Sequence, residues 1–425
     1  MTINNATWLS GEKMLDIRLT NGLRVVVLPK KGFFRKAVTL IIPFGSEDEN
    51  IECQDEKMSF PAGSAHLLEH LLFESQDGFY TRKFTEIGST ANAYTTNNRT
   101  AIYFSTVGAI DEPLKLLFEM LENVDFRKDA INKEKKIVSE EISLYDDDVE
   151  QSLYFDLMRS LYRSNPVKND IAGSKESLRT ISAGTLEKAF SCFYRYQNMI
   201  LVIAGDVDKE AIITLLENLA SDNVLVNDHF KRIRKIDPEG LAREYYTEKR
   251  DLRNSIVMMG IKLENSVLRT PMEAALEEIK GYLFLENYMG KMSGRELELQ
   301  KQGLVNDTFD FSLSVTTNYG HIILYSETKK PEETMEAFRN LFALTREHIV
   351  KPDDLERQKR KMIGDFVLAF DSVSRSCSLL SEYLARGADI FVIMDAINRM
   401  TPKDLQETGN KYALMPQAFV HYGVR

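Results

Sequence analysis

The chain has 425 residues, enough for two domains of roughly 200 residues each and for a sizeable hydrophobic core. Its content of 43% hydrophobic and 28% charged residues is ordinary for a globular protein, and its net charge of -10 argues against a nucleic-acid partner, because phosphates call for clustered Lys and Arg. The three cysteines, Cys53, Cys192 and Cys377, form no C-x-x-C pair, so they predict neither a disulfide framework nor a thiolate metal site.

The first half of the chain predicts strands first and long helices later. Residues 1–15 lack the charged and apolar regions of a leader, and no window approaches the roughly 18 apolar residues that span a bilayer, so we expect a cytoplasmic protein without a membrane partner. Residues 14–19 and 23–28 alternate around Asn21-Gly22, a hairpin signal, and 37–43 is a β-branched run. Helical spacing begins at residue 62, strand-like composition returns over 90–106, and helical periodicity follows over 112–123 and 129–163.

An internal repeat divides the sequence into two similar halves. Residues 181–205 contain a capped helix start, an aromatic residue and a short apolar strand that ends at Gly205, and the same order recurs in 400–423 about 219 residues later. Residues 222–244 are dense in charge and contain Pro238 and Gly240, which indicates a linker. We therefore predict a domain over 1–221, a linker over 222–246 and a second domain over 247–425. The mixture of strands and helices without regular βαβ alternation predicts an α+β fold.

The segment 63–72, GSAHLLEHLL, contains the strongest chemical signal. On a helix, His66 and His70 are one turn apart and point the same way, with Glu69 on the same face and leucines on the remaining face. Two imidazoles at this spacing are a common way for a helix to offer Zn²⁺ two ligands. The composition makes an incidental H-x-x-E-H rare, so the segment predicts a metal site.

A third ligand is expected from a second helix. Glu134 and Glu141 are seven residues apart and therefore lie two turns apart on one helical face, whereas Glu140 points away from it. One of the two carboxylates could bind the metal while the other hydrogen-bonds a histidine or the metal-bound water. Helical spacing alone does not decide which carboxylate has which role.

H-x-x-E-H followed some seventy residues later by E-x6-E resembles the inverted-motif zinc peptidases of the insulinase/pitrilysin (M16) family. The resemblance extends to Asn21-Gly22-Leu23-Arg24-Val25-Val26, to residues 88–95 (GSTANAYT) and to residues 201–205 (LVIAG). The chain looks most similar to the bacterial processing-peptidase-like branch, whose members are about as long. It implies two topologically similar domains, each a mostly antiparallel sheet covered by helices, that close like a clamshell around a cavity.

The resemblance also implies roles for individual residues. His66, His70 and Glu141 match the zinc ligands, Glu69 the catalytic base, and Glu134 the carboxylate that supports a ligand. Asn92 and Ala93 match backbone anchors for an extended peptide, which such a strand binds by adding it to the edge of the sheet. The implied activity is zinc-dependent endopeptidase cleavage of peptides or small unfolded polypeptides.

The second half departs from the family pattern. Active single-chain members carry an Arg and a Tyr in L-R-x-x-x-G-L-x-Y, which help to stabilise the developing oxyanion. Here these positions fall on Leu299 and Asn306, and the nearby Arg295 and Tyr319 do not fit the spacing. We therefore expect activity with a homologous partner chain that supplies the pair, in a heterodimer or else a homodimer.

Two other functions remain open from the sequence. One is a non-enzymatic peptide-binding or scaffold subunit of the same fold. The other is a two-histidine-one-carboxylate iron oxygenase, against which the adjacent Glu69 argues. The identity of the bound metal separates both from a zinc peptidase.

Overall fold

The computed structural model describes residues 14–75, 78–219, 230–263 and 269–425. The strands of these segments are β1 Leu15–Arg18, β2 Arg24–Pro29, β3 Lys36–Ile42, β4 Asn50–Cys53, β5 Glu56–Ser59, β6 Glu74–Ser75, β7 Gly78–Phe79, β8 Ser89–Thr95, β9 Thr100–Thr106, β10 Ile200–Gly205, β11 Lys231–Arg232, β12 Tyr245–Arg250, β13 Ser255–Lys262, β14 Asp310–Val315, β15 Gly320–Thr328 and β16 Gln417–Val424. The helices are α1 Ser64–Phe73, α2 Tyr80–Glu86, α3 Asp111–Glu122, α4 Lys128–Asp147, α5 Val149–Leu161, α6 Lys175–Thr180, α7 Ala183–Phe193, α8 Lys209–Leu219, α9 Pro271–Met289, α10 Arg295–Lys301, α11 Pro331–Ala343, α12 Pro352–Phe370, α13 Val373–Ala385, α14 Ile390–Arg399 and α15 Pro402–Tyr412.

Two larger sheets share one topology. The first has six strands in the order β1-β2-β10-β3-β9-β8, and the second has five in the order β12-β16-β13-β15-β14. In each sheet one neighbouring pair is parallel, β2 with β10 and β12 with β16, and the other pairs are antiparallel. The predicted α+β class with two similar, mostly antiparallel sheets is therefore confirmed. The edge strands β8 and β14 occupy equivalent places.

The predicted repeat falls on equivalent elements. Helix α7 leads to β10 in the first half of the chain, and helix α15 leads to β16 in the second. Both helices begin at a hydroxyl side chain that accepts from a backbone N–H of the first turn, Ser182 from Thr185 and Thr401 from Asp404. This capping explains why the same sequence signal recurs before both strands.

The chain folds into two compact units that exchange a helix. The first unit lies within residues 1–144, 170–233 and 366–387, and the second within 145–169, 234–365 and 388–425. Helix α5, from the first half of the chain, packs on β13 and β16 of the second unit. Helix α13, from the second half, packs on β3 and β10 of the first unit. Both exchanged helices have 13 residues and cover the equivalent pair of strands.

The exchange begins at a break that the helical periodicity of residues 129–163 did not reveal. Asp148 has an extended backbone (φ −75°, ψ 117°), and its side chain accepts a hydrogen bond from the Gln151 N–H. This cap separates α5 from α4. A carboxylate at this position is compatible with both a helix interior and a cap, so periodicity alone predicted one long helix.

Part of the predicted linker forms a strand, β11, that pairs with the first unit. Residues 220–229 lie outside the described segments, but β11 pairs with β4, and Arg232 forms an ion pair of 2.5 Å with buried Asp48. The passage from the first unit to the second falls between residues 233 and 234. The division into domains at 1–221 and 247–425 stays a prediction. No helix of the described segments is long and apolar enough to cross a membrane.

Candidate metal centre

Helix α1 is fixed by its leucines and by the glycine that precedes it. Leu67, Leu68, Leu71 and Leu72 have no exposed surface, so the back of the helix is anchored in the core as the sequence predicted. Gly63, with φ +89°, precedes the helix, and a Cβ at this position would lie 2.4 Å from the carbonyl oxygen of Ala172. Only glycine fits this contact, which holds the start of α1 against the loop before α6.

The side chains of His66, His70 and Glu141 converge on one point. Glu141 Oε2 lies 3.2 Å from His66 Nε2 and 3.4 Å from His70 Nε2. Ligand atoms of the three residues all lie within 4.8 Å of one another, and this is the one such group found in the described segments. Two ligands of a tetrahedral zinc ion with bonds of 2.0–2.2 Å are about 3.4 Å apart. The donor set therefore suits Zn²⁺, and both distances to Glu141 are close to this spacing.

Glu134 supports the cluster from the neighbouring turns of α4. Its Oε2 lies 3.2 Å from His70 Nδ1, the ring nitrogen that faces away from Glu141, and only 3% of the Glu134 side chain is exposed. Burial raises the pKa of Glu134, but hydrogen bonds with His70 and Glu74, together with the charges of His70 and Lys133, outweigh it and lower the pKa overall. Such a bond fixes the ring orientation and leaves Nε2 free as a ligand. Glu140 is exposed, as the helical spacing predicted.

The electrostatics of the cluster favour a cation. Burial lowers the pKa of His66, but hydrogen bonds to Glu141 and Glu69 outweigh this effect and raise it to about 9. The hydrogen bond from His66 lowers the pKa of Glu141. The raised pKa of His66 favours its protonated form beside the Glu141 carboxylate. Zinc would replace this proton, since both are cations bound by the same lone pairs.

Glu69 lies beside the cluster, outside the three convergent ligands. Its Oε2 is 3.6 Å from His66 Nδ1 and accepts a hydrogen bond of 2.6 Å from Thr95 Oγ1. Thr95 is the last residue of the edge strand β8. The sequence contained Thr95 in the family-like segment but offered no spacing signal for this contact, because the two residues are 26 positions apart on different elements.

The two predicted peptide anchors lie on β8, and one edge of this strand pairs with no other strand of the described segments. Asn92 and Ala93 pair with Tyr103 and Ile102 of β9. The backbone N–H of Ala93 donates to the side-chain oxygen of Asn92 at 2.8 Å. The Asn92 side-chain oxygen thus accepts from a backbone N–H on this edge of β8. A carbonyl oxygen of an added strand would accept from the same N–H.

A further carboxylate that was not predicted from the sequence, Glu74, contacts Glu134. Glu74 forms an ion pair with Lys133 at 2.6 Å and hydrogen-bonds the Glu134 carboxyl. Burial is the main cause that raises the pKa of Glu74. The signal was present in the sequence as a Glu one turn after His70, but it looked like an ordinary surface residue.

The second unit has the same framework without the metal ligands. Helix α9 follows β13 and packs on β14, as α1 follows β3 and packs on β8. Glu278 of α9 accepts from the N–H of Val315, the last residue of β14, and so corresponds to Glu69. In this alignment Ala275 and Ile279 replace the two histidines, and neither side chain can bind a metal.

The fold and the cluster define a two-unit α+β protein in which His66, His70 and Glu141 of the first unit could hold a metal ion. Residues 26–175 match the sequence profile of the insulinase family (peptidase family M16), and residues 180–362 match that of the peptidase M16 inactive domain. The chain belongs to peptidase family M16, as the sequence motifs predicted.

Individual relatives agree with this assignment. The chain is 30% identical over 398 residues to an uncharacterized zinc protease YmfH of Bacillus subtilis, covering 93% of this chain and 92% of the relative. It is 24% identical to the zinc protease PqqE of Helicobacter pylori, covering 93% and 89%. It superposes on a putative M16-like peptidase from Alicyclobacillus acidocaldarius with a TM-score of 0.89, at 24% identity, over 97% of this chain and 98% of that chain. The predicted zinc cofactor agrees with the names of both sequence relatives.

Proposed function

We propose that this chain is the zinc-bearing subunit of an endopeptidase of the bacterial processing-peptidase-like branch. It would hydrolyse peptides or small unfolded polypeptides, with His66, His70 and Glu141 as zinc ligands and Glu69 as general base. The single observation that carries this proposal is the convergence of two Nε2 atoms and Glu141 Oε2 at 3.2 and 3.4 Å.

The chemistry of hydrolysis matches the roles of the surrounding groups. A Zn²⁺ ion with three protein ligands lowers the pKa of water in its open position and polarises a carbonyl. Glu69 accepts the proton of the attacking water and transfers it to the leaving amine. Glu134 holds the His70 ring through Nδ1 and so keeps Nε2 directed at the ligand position.

Strand β8 is the proposed platform for the substrate. An extended peptide can pair with its free edge by main-chain hydrogen bonds, which gives affinity with little dependence on sequence. Asn92 would release the Ala93 N–H when the peptide arrives, since one donor cannot serve both acceptors fully. Thr95 connects the end of this platform to Glu69.

The second unit supports the proposal of a partner chain. Leu299 is buried and has no hydrogen-bond donor, and Asn306 accepts from the backbone and hydroxyl of Thr308. Arg295 donates to the carbonyl oxygen of Tyr288 and lies 4.1 Å from that ring. Tyr319 is buried in a core cluster of the second unit. Because these side chains have structural roles, we propose that the Arg/Tyr pair comes from a related chain.

The test combines metal analysis with peptide hydrolysis. The purified chain is loaded with zinc and assayed on unstructured peptides alone, with chelator, and with a homologous chain that carries the Arg/Tyr pair. We expect about one zinc per chain from the three-ligand site, little turnover alone, and chelator-sensitive turnover with the partner.

Two outcomes would contradict parts of this proposal. Stoichiometric iron in place of zinc would exclude the zinc peptidase, and peptide binding without cleavage under every condition would favour the scaffold function. Brisk chelator-sensitive cleavage by the lone chain would retain the peptidase and exclude the need for a heterodimer.

A further inference from the structure

A groove in the first unit lies beside the edge strand β8. Its floor is formed by Thr39, Tyr103 and Ser105 of β3 and β9, one wall by Ser374 and Ser378 of α13, and its rim by Tyr94 of β8. Its volume is about 310 Å³. We call it the hydroxyl groove, because each of these six side chains carries a hydroxyl group. The exchanged helix α13 packs on β3 and β10 and so bounds one side of the groove.

Strand alternation separates the groove from the metal centre. Thr90 and Tyr94 of β8 line the groove, whereas Thr95 faces Glu69. Successive side chains of a strand point to opposite faces. A peptide added to the free edge of β8 continues the sheet, so every second side chain of that peptide lies on the groove side.

The groove offers hydrogen bonds and aromatic surface but no ionised side chain. Thr90 Oγ1 lies 3.1 Å from Ser105 Oγ, and the rings of Tyr94 and Tyr103 have centroids 6.0 Å apart. Cys377 also lines the groove, and burial raises the pKa of its thiol to about 12, so the thiol remains neutral. A charged side chain placed here would lose water without gaining a counter-ion, which is costly.

The Arg99 side chain contacts the rim of the groove and strengthens the selection against positively charged substrate side chains. The Arg99 guanidinium lies 5.7 Å from the centroid of the Tyr94 ring and hydrogen-bonds the Asn98 side chain at 3.2 Å. It would repel a Lys or Arg side chain of the substrate.

We propose that the hydroxyl groove is a specificity site that takes an uncharged aromatic side chain of the peptide substrate, Tyr above all, and rejects charged ones. A tyrosine ring can pack against Tyr94 and Tyr103 while its hydroxyl group bonds Ser374 or Ser378. This inference rests on the proposed peptidase function and on pairing of the substrate with β8.

The experiment uses the full zinc-loaded chain, with its partner chain where turnover requires it. Matched peptides carry Tyr, Phe, Ser, Lys or Glu at each of the positions that flank the cleaved bond. We expect Tyr and Phe to exceed Lys and Glu in kcat/KM by about tenfold or more. The preference should appear at alternate positions, because only every second side chain reaches the groove.

Two variants test the groove itself. Ser378→Lys places a cation in the exposed wall and should raise the relative kcat/KM of the Glu peptide about tenfold at the same alternate positions. Tyr103→Leu removes the aromatic floor and should reduce the preference for Tyr over Ser. Thr81→Lys, an exposed change on α2, is the matched control and should leave the preferences unchanged.

The outcomes distinguish this inference from the proposed function. Absence of cleavage for all peptides, with zinc bound, would overturn the peptidase itself. Cleavage with preferences that neither variant changes, or that Thr81→Lys changes equally, would overturn the groove as the specificity site. A wild-type preference for charged side chains at the alternate positions would also overturn it.

Discussion

Thr95 Oγ1 donates a hydrogen bond of 2.6 Å to Glu69 Oε2 and so joins the end of the edge strand to the proposed base. The Thr95 hydroxyl also lies 3.3 Å from that of Thr100, which donates to the carbonyl oxygen of Phe44 at 2.9 Å. The position of Thr95 is thereby fixed by the sheet. The hydrogen bond from Thr95 therefore holds Glu69 by its Oε2 atom.

Loss of the Thr95 hydroxyl should reduce turnover more than binding. Thr95→Val keeps the shape of the side chain but removes the hydrogen-bond donor. We expect kcat to fall about tenfold, which corresponds to the free energy of one hydrogen bond to a charged group. Thr95→Ser should restore most of it, while zinc content stays constant. Thr85→Val, which removes an exposed hydroxyl on α2, serves as control. A fully active Thr95→Val would show that Glu69 needs no such support.

Glu69→Gln should separate metal binding from catalysis. Because Glu69 lies outside the three convergent ligands, the variant should retain its zinc in elemental analysis and lose nearly all peptidase activity. The amide can neither accept the proton of the attacking water nor return it. Loss of the metal would instead identify Glu69 as a ligand.

The two carboxylates of α4 should differ in their effect on zinc affinity. Glu141→Gln removes a ligand oxygen and should empty the site, whereas Glu134→Gln removes only the support of His70 and should weaken zinc binding about 10–100-fold. Competition with a chromophoric chelator measures both. Glu140→Gln is the matched control on the same helix. If that control loses zinc and Glu141→Gln does not, the assignment of ligands on α4 is wrong.

Removal of the metal should make stability depend on pH above neutrality. The folded pKa of His66, about 9, exceeds the ordinary value of 6.5, so its proton stabilises the metal-free fold fully below pH 6.5, and this contribution is lost as pH rises through 9. The shift corresponds to about 3 kcal/mol. Denaturant unfolding of the metal-free protein at pH 6.5 and 9.5 measures the difference. The zinc-loaded protein should show little of it, since the metal has replaced the proton. An equal loss in both forms would assign the effect to other groups.

The exchange of helices predicts that the first half of the chain does not fold alone. A fragment of residues 1–233 lacks α13, which covers β3 and β10, and should expose that sheet face to water. Circular dichroism and thermal unfolding should show no cooperative transition. Addition of a peptide of residues 366–387 should improve folding, whereas a scrambled peptide should not. A cooperatively folding fragment would show that the first unit does not need α13.

The sequence by itself determined the fold class and indicated the candidate metal ligands. Both depend on short-range rules: His66 and His70 share a helical face because of the 3.6-residue period, and Asn21-Gly22 marks a hairpin because few residues adopt its backbone angles. The family pattern then assigned Glu141 in preference to Glu134, which spacing alone left open. The structure places Glu141 at the converging Nε2 atoms and Glu134 at the opposite nitrogen of His70.

Only the tertiary structure decided the contacts between distant residues. Thr95 reaches Glu69 because α1 packs under the end of β8, and Glu74 reaches Glu134 because α4 lies beside α1. The exchange of α5 and α13 had no local signal either, since each has the amphipathic pattern of any helix that covers a sheet. An apolar helix face specifies that it must be buried but not against which sheet. That choice follows from packing of the whole chain, and it creates the hydroxyl groove next to the metal-bearing unit's edge strand.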